Sequence, residues 1–247
     1  MRKIKRWIVK HLLRDWPKQK VKSIILSAID DHKCLGMLEG MKYISKSIGS
    51  EYYPKLLGTY EKELNPLFEK LFQQPFDQFI DVGAAEGYYA VGITLRTSWN
   101  VAAFEANPNT PLPELARING VEDRIALHGA CDLGDLSKTL KKANQNLLLV
   151  DIEGAELMLL DPGFIPELRS ATIIVEVHDC FIPDIGERIL ARFKNTHQIE
   201  RIDCEPRTFE DCPVDFPKLP FDPALYTLEY LTERRPEGMY WLMLFPK

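Results

Sequence analysis

The chain has 247 residues, 45% of them hydrophobic, which is enough to bury one large core or a core with an added segment, and no part is repetitive. Its net charge of −5 is uneven: residues 1–22 hold nine Lys or Arg against Asp15 alone, so the other 225 carry −13, an acidic body that argues against a nucleic-acid substrate. Five scattered cysteines (Cys34, Cys131, Cys180, Cys204, Cys212) include no C-x-x-C pair, which speaks against a zinc or disulfide framework and for reduced thiols in the cytoplasm.

Residues 1–75 read as helical, with breaks near Pro17, across 49–54 and near Pro66. The opening "MRKIKRWIVKHLLRDW" (1–16) sets Ile4, Trp7, Ile8, Leu12 and Trp16 at helical spacing. Lys3, Lys5, Arg6, Lys10 and Arg14 fall largely off that stripe. A basic amphipathic helix of this kind suits peripheral contact with an anionic membrane face through residues 1–22. Packing on the domain, or on a second copy in a homo-oligomer, uses the same stripe. Charge interrupts its apolar residues and no small-residue cleavage site follows, so it is not expected to act as a secretory signal. No apolar run approaches the roughly 18–20 residues of a membrane-spanning helix. The helix expected around Tyr53 to Tyr60 either closes over a ligand or packs simply.

From Phe76 the pattern changes. Short apolar runs at 79–83, 101–105, 125–129, 147–151, 172–178, 197–203 and 239–245 predict strands. Amphipathic stretches at about 87–96, 109–119, 133–143, 155–160 and 184–194 predict helices between them. The alternation implies an α/β fold, a doubly wound and mostly parallel sheet with helices on both faces. The expected division is a helical segment over 1–75 and a ligand-binding domain over 76–247. Within the latter, 204–223 carries Pro206, Pro213, Pro217, Pro220 and Pro223 and reads as a long loop or lid.

In such a sheet the ligand sits beyond the carboxyl ends of the strands, at the first strand–helix turn. That turn lies in "FIDVGAAEGYYAVG" (79–92). Gly83 permits a tight turn and Gly87 lets the helix pack close. A nicotinamide site would want G-x-G-x-x-G, whose middle glycine admits a pyrophosphate. Here the run is Gly83-Ala84-Ala85-Glu86-Gly87, and Asp81 and Glu86 stand where the pyrophosphate charge would lie. A cationic ligand suits those acids, and S-adenosylmethionine, with its ammonium and sulfonium, is one. "VAAFEANP" ends its strand with Glu105, about 20 residues on, where a carboxylate can accept from both ribose hydroxyls. "ALHGACD" brings Ala130, Cys131 and Asp132 to the same edge, against the adenine or as a plain turn.

"LLLVDIEGAELMLL" (147–160) places Asp151, Glu153 and Glu156 at the end of a buried strand, and "TIIVEVHDC" repeats the design with Glu176 and His178. Clustered acids need protons, a cation or donors. Three uses compete: a general base for a substrate hydroxyl, drawn from His178 or a raised-pKa Glu; a divalent cation held by carboxylates and one imidazole; and helix capping by Glu156 and Glu176, or their pairing with Arg169 or Arg188. The base is the working expectation and no metal is assigned. His128 and His197, in strands, are expected to be structural.

The segments "IDVGAAEGYYAVG", "FEANP", "VDIEGAE" and "IIVEVHD", in this order, resemble the FkbM-type S-adenosylmethionine-dependent methyltransferases. The D-[IV]-E-G-x-E element is the most specific of the four, and the match spans about residues 76–203. "YYPKLLGTYEKEL" and "MYWLMLFPK" are similar more weakly. Ala85 departs from a glycine common in methyltransferases, and 1–50 has no counterpart. The resemblance implies a Rossmann-like class I sheet of seven strands whose last strand runs antiparallel, and O-methylation of a sugar, glycan or natural-product hydroxyl.

The expected cofactor set is Asp81, Gly83, Ala84, Glu86, Gly87, Tyr88, Glu105, Ala106, Ala130, Cys131 and Asp151. The expected catalytic set is Asp151, Glu153, Glu176 and His178. A nicotinamide oxidoreductase on a similar sheet and a cofactor-binding subunit without chemistry are the competing readings.

Overall fold

Seven strands pair into one sheet in the computed structural model of the chain, which describes residues 2–29, 32–45 and 47–247, with side chains from Asp15 onward. The strands are β1 (Gln78–Val82), β2 (Asn100–Phe104), β3 (Ile125–His128), β4 (Asn146–Val150), β5 (Thr172–Val177), β6 (His197–Asp203) and β7 (Tyr240–Pro246). Their order is β3-β2-β1-β4-β5-β7-β6. Strands β1 to β5 pair in parallel, while β7 is antiparallel to both β5 and β6. This is a doubly wound, Rossmann-like sheet of seven strands with its last strand reversed, the architecture expected from the sequence. The order turns back between β1 and β4, so the ligand crevice of the fold opens at their carboxyl ends.

Composition explains the centre of the sheet. β1, β4 and β5 are buried at every position, as near-continuous Val, Ile and Leu runs covered on both faces must be. Ile80, Val82, Leu148, Val150, Ile173, Val175 and Val177 share one core. Helices α6 (Leu133–Leu140) and α8 (Ile185–Phe193) close over it with Leu136, Leu140, Ile185, Ile189 and Phe193. Burying each such side chain contributes about 1.5–3 kcal/mol. Period-two alternation then gives Asp81, Glu176 and His178 to the face opposite that core. Helices α4 (Tyr88–Arg96) and α5 (Leu112–Asn119) complete the first two crossovers, and the four-residue α7 (Glu156–Leu159) follows β4.

The chain divides into two units, one of residues 61–205 and 234–247, the other of residues 1–60 and 206–233. The first holds the sheet and also α3 (Asn65–Leu71), which begins at Pro66 instead of breaking there, because a proline in the first turn loses no hydrogen bond. The second holds α1 (Arg2–Ala28), α2 (Tyr52–Leu57) and α9 (Ala224–Leu231). Pro17 does not break α1. It is buried in line with Val21, Ile25 and Ile29, and that packing outweighs the backbone bond lost at the proline. The side chains of 1–14, which make up most of the basic tryptophan stripe, lie outside the described residues.

Two further features of the second unit differ from or extend the sequence reading. Helix α9 follows the proline run directly: Pro223 is its N-cap, and Thr227, Tyr230 and Leu231 are buried. Tyr53 of α2 meets Tyr230 edge to face at 5.0 Å, so α2 packs within its own unit. Among the described residues, no helix is long and apolar enough to cross a membrane.

Candidate cofactor and acceptor site

The turn after β1 is built by close approach. Gly83 has φ +94°, and a Cβ there would stand 1.7 Å from the Asp151 carbonyl oxygen, so only glycine lets the end of β1 pass that of β4. Gly87 has the same φ and precedes α4; a Cβ on it would meet Leu112 Cγ at 2.7 Å. Between them Ala85 is also left-handed, φ +47°, a conformation costing an L-residue roughly 1–2 kcal/mol. Two contacts hold it there. Ala85 N–H donates to Glu105 Oε2 at 2.8 Å, and the Thr110 hydroxyl donates to the Ala85 carbonyl.

The amides of this turn are consumed within the chain. Gly83 and Ala84 both donate to the Phe104 carbonyl at 3.0 Å, Ala85 donates to Glu105, and Gly87 donates to the Ala84 carbonyl at 2.7 Å. Glu105 accepts a second bond from Asn107 N–H at 2.7 Å. A carboxylate offers about four acceptor sites, so Glu105 keeps capacity for hydroxyl donors.

Asp81 is buried, with one oxygen receiving Ala90 N–H and Oδ2 buried without a hydrogen bond among the described residues. Burial, with Glu105, Glu61 and Glu86 nearby, pushes its pKa up to about 7 against the pull of the Ala90 amide. Ala84, Glu86 and Tyr88 are buried beside it in the sequence, whereas Ala106 is exposed. At the end of β3, Ala130 is exposed and Cys131 half-buried, its thiol pushed up to about 12 by burial and the neighbouring Asp135 and Asp132. Asp132 caps α6, accepting Asp135 N–H at 2.7 Å.

The ends of β4 and β5 bring four carboxylates around one imidazole. Asp151 N–H donates to the Val82 carbonyl at 2.9 Å, which fixes the end of β4 beside β1. Glu153 (φ +54°) and Gly154 (φ +103°) are consecutive left-handed residues that swing the chain into α7. His178 is 0% exposed, with Nδ1 2.7 Å from Glu156 Oε1. Its Nε2 lies 3.2 Å from Glu176 Oε2 and 3.6 Å from both Asp151 Oδ1 and Glu153 Oε2. Phe181 stacks on the ring at 5.5 Å between centroids and 9° between planes. Burial alone would lower the His178 pKa, but the Glu156, Glu176 and Asp151 carboxylates outweigh it and raise it to about 10. Burial and the Glu176 carboxylate push Asp151 well above the usual carboxylate range.

All the residues expected at the acceptor thus come together, and the sequence missed three that support them. Arg235 pairs with Glu176 and with Glu61, and Glu61 accepts the Tyr89 hydroxyl. No spacing reveals them: Arg235 reaches Glu176 only because β7 folds back beside β5. The sequence reading offered Arg169 or Arg188 as partners for Glu176; the structure supplies Arg235. His197 is structural, held by the Ala171 carbonyl at 3.0 Å and Thr196 at 2.9 Å. His128 stacks on Phe104.

No protein-family model matches the chain, and no curated protein matches it. Solved structures similar in fold include an rRNA methylase from Streptococcus thermophilus (10% identity, 74% of this chain and 96% of that one, TM-score 0.49). A precorrin-6y C5,15-methyltransferase from Geobacter metallireducens GS-15 is 12% identical over 89% of this chain and 95% of that one, with TM-score 0.48. A protein from Pyrococcus horikoshii provisionally assigned as a transferase is 17% identical over 75% of this chain and 64% of that one, with TM-score 0.38. This chain therefore spans less than two thirds of that last protein.

Proposed function

We propose that the chain is an S-adenosylmethionine-dependent methyltransferase of the FkbM type that O-methylates a hydroxyl of a sugar, glycan or natural product. The observation that carries the reading is the glycine turn. Four of its amides are bonded within the chain and acids line it, so it offers a pyrophosphate few donors and much repulsion. A cation meets the opposite situation. Asp81, whose buried Oδ2 has no hydrogen bond among the described residues, and Asp151 are both pushed toward their neutral forms by burial and nearby acids, Glu86 among those around Asp81. A sulfonium and an ammonium would hold these carboxyl groups charged.

The turn that Gly83 and Gly87 permit would hold the methionine end, and Glu105 would accept from the ribose hydroxyls. Ala130 and Cys131 would border the base, and Ala84, Tyr88 and Ala106 would line the rest of the cofactor. When bound, S-adenosylmethionine supplies a methyl carbon on a positive sulfur, open to in-line attack by an oxygen. What the chain contributes first is alignment of the hydroxyl, the larger share of such a rate enhancement. Proton removal is its second contribution. Glu153, exposed 3.6 Å from His178 Nε2, would take that proton, with Asp151 and Glu176 sharing the same imidazole nitrogen. The imidazole, tied to Glu156, orients these carboxylates.

Replacing Glu105 by Ala tests the cofactor half of the reading. Cofactor affinity should fall by about 1.5–3 kcal/mol, the worth of hydrogen bonds to a charged group. Ala85 also loses its amide partner, so the melting temperature should be followed in parallel. Unchanged affinity in a calorimetric titration takes Glu105 out of the site.

A further inference from the structure

We propose that Asp151, Glu153 and His178 bind a divalent metal ion, with Mn2+ the favoured occupant. The inference shares its site with the methyl-transfer reading and rests on that reading only for the ion's use. Its ground is the state of the imidazole. Nδ1 is committed to Glu156 Oε1 at 2.7 Å, and Glu156 is itself buried and held by Gly154 N–H at 3.0 Å. A carboxylate that accepts Nδ1–H turns the opposite nitrogen toward a ligand, available once its own proton is displaced, the arrangement that orients metal-ligating histidines.

That opposite nitrogen makes no well-aligned hydrogen bond among the described residues, although the ring is wholly buried. Its nearest carboxylate oxygen is Glu176 Oε2 at 3.2 Å, on a carboxylate that Arg235 also holds. Asp151 Oδ1 and Glu153 Oε2 are both 3.6 Å from it, too far for direct N–H···O bonds. Asp151 Oδ1 is likewise buried without a hydrogen bond among the described residues. One ligand atom from each of the three residues lies within 4.8 Å of the others. At metal–ligand distances of about 2.1 Å, two atoms 3.6 Å apart subtend about 118° at a shared ion. The gap toward Asp151 and Glu153 therefore fits an ion where it does not fit a hydrogen bond.

Two carboxylates and one imidazole are a mixed oxygen and nitrogen set, harder than a zinc-thiolate site and softer than an all-oxygen magnesium cage. Mn2+ sits between those limits. Binding replaces a proton on the ring by the ion, as metal sites generally require. Three protein ligands leave coordination positions for oxygens of an acceptor, so the preferred acceptor carries a hydroxyl next to a second oxygen donor. The sequence reading had assigned no metal here.

The test uses the full-length protein stripped with chelator and dialysed. Mn2+ is titrated calorimetrically, with the electron paramagnetic resonance signal of free Mn2+ as a second readout. S-adenosylmethionine is titrated into the same preparation. The expected result is one saturable Mn2+ per chain and a higher melting temperature when it is bound. Glu153→Gln, a change at a side chain 70% exposed, should weaken Mn2+ on the order of tenfold or more, and Glu156→Gln about 10–100-fold. Absence of saturable Mn2+ uptake by folded wild-type protein overturns the site, as does uptake unchanged in both variants. If that protein still binds S-adenosylmethionine, only the metal inference falls. If it takes up Mn2+ but not S-adenosylmethionine, the metal stands and the methyl-transfer reading falls.

Discussion

Glu153→Gln is expected to lower turnover on an accepted hydroxyl substrate by about 10²–10⁴-fold, the usual contribution of a positioned general base. Cofactor affinity, and the melting temperature of the metal-free protein, should stay near wild type. The separation follows from position. The Glu153 side chain is 70% exposed and 3.6 Å from His178 Nε2, so it stands at the acceptor side of the cluster and contributes little to the core. Glutamine keeps the size and removes the charge. Recovery of rate at saturating Mn2+ would mark a lost ligand, whereas a rate that stays low marks a lost base. A variant that keeps full rate without added metal removes Glu153 from the chemistry.

His178→Ala should act on the fold as well as on activity, with a loss of about 3–5 kcal/mol, as when one partner of a buried charged pair is deleted. His178 stands among four carboxylates, of which Glu156 and Glu176 are buried. Arg235 still serves Glu176 in the variant, but Glu156 keeps only the Gly154 amide for its buried charge. Chemical denaturation measures the loss, and Glu156→Gln, made in the same background, should recover part of it. A variant as stable as wild type would mean that the surrounding acids are already neutral.

Much of this arrangement is legible in the chain because it depends on local pattern. Apolar runs mark the buried strands β1, β2, β4, β5 and β7, since a strand buried on both faces has no alternation to obscure it, whereas β3 and β6 at the sheet edges are mostly exposed or half-buried. Gly83, Glu105, Asp151 and Glu176 each end or closely follow such a run, so their gathering at one sheet edge follows from the fold class. Contacts that depend on topology are not legible. Arg235 and Glu61 flank the cluster from sequence positions 174 apart, and only the reversed β7 brings Arg235 to Glu176. Helix α9 was hidden by its approach, because a proline run reads as loop although Pro223 also suits a helix start. Pro17 misleads in the opposite sense, where burial of a whole stripe overrides a local breaker.

The central claim is that a cationic nucleoside cofactor, and not a dinucleotide, occupies the glycine turn. Parallel calorimetric titration of the wild-type protein with S-adenosylmethionine, S-adenosylhomocysteine and NAD tests it most directly. Saturable one-to-one binding of the first two, with none of NAD, is the predicted result. Tight NAD binding without S-adenosylmethionine binding would contradict it, because the bonded amides and the acids around Gly83 would then be holding the pyrophosphate they are expected to repel.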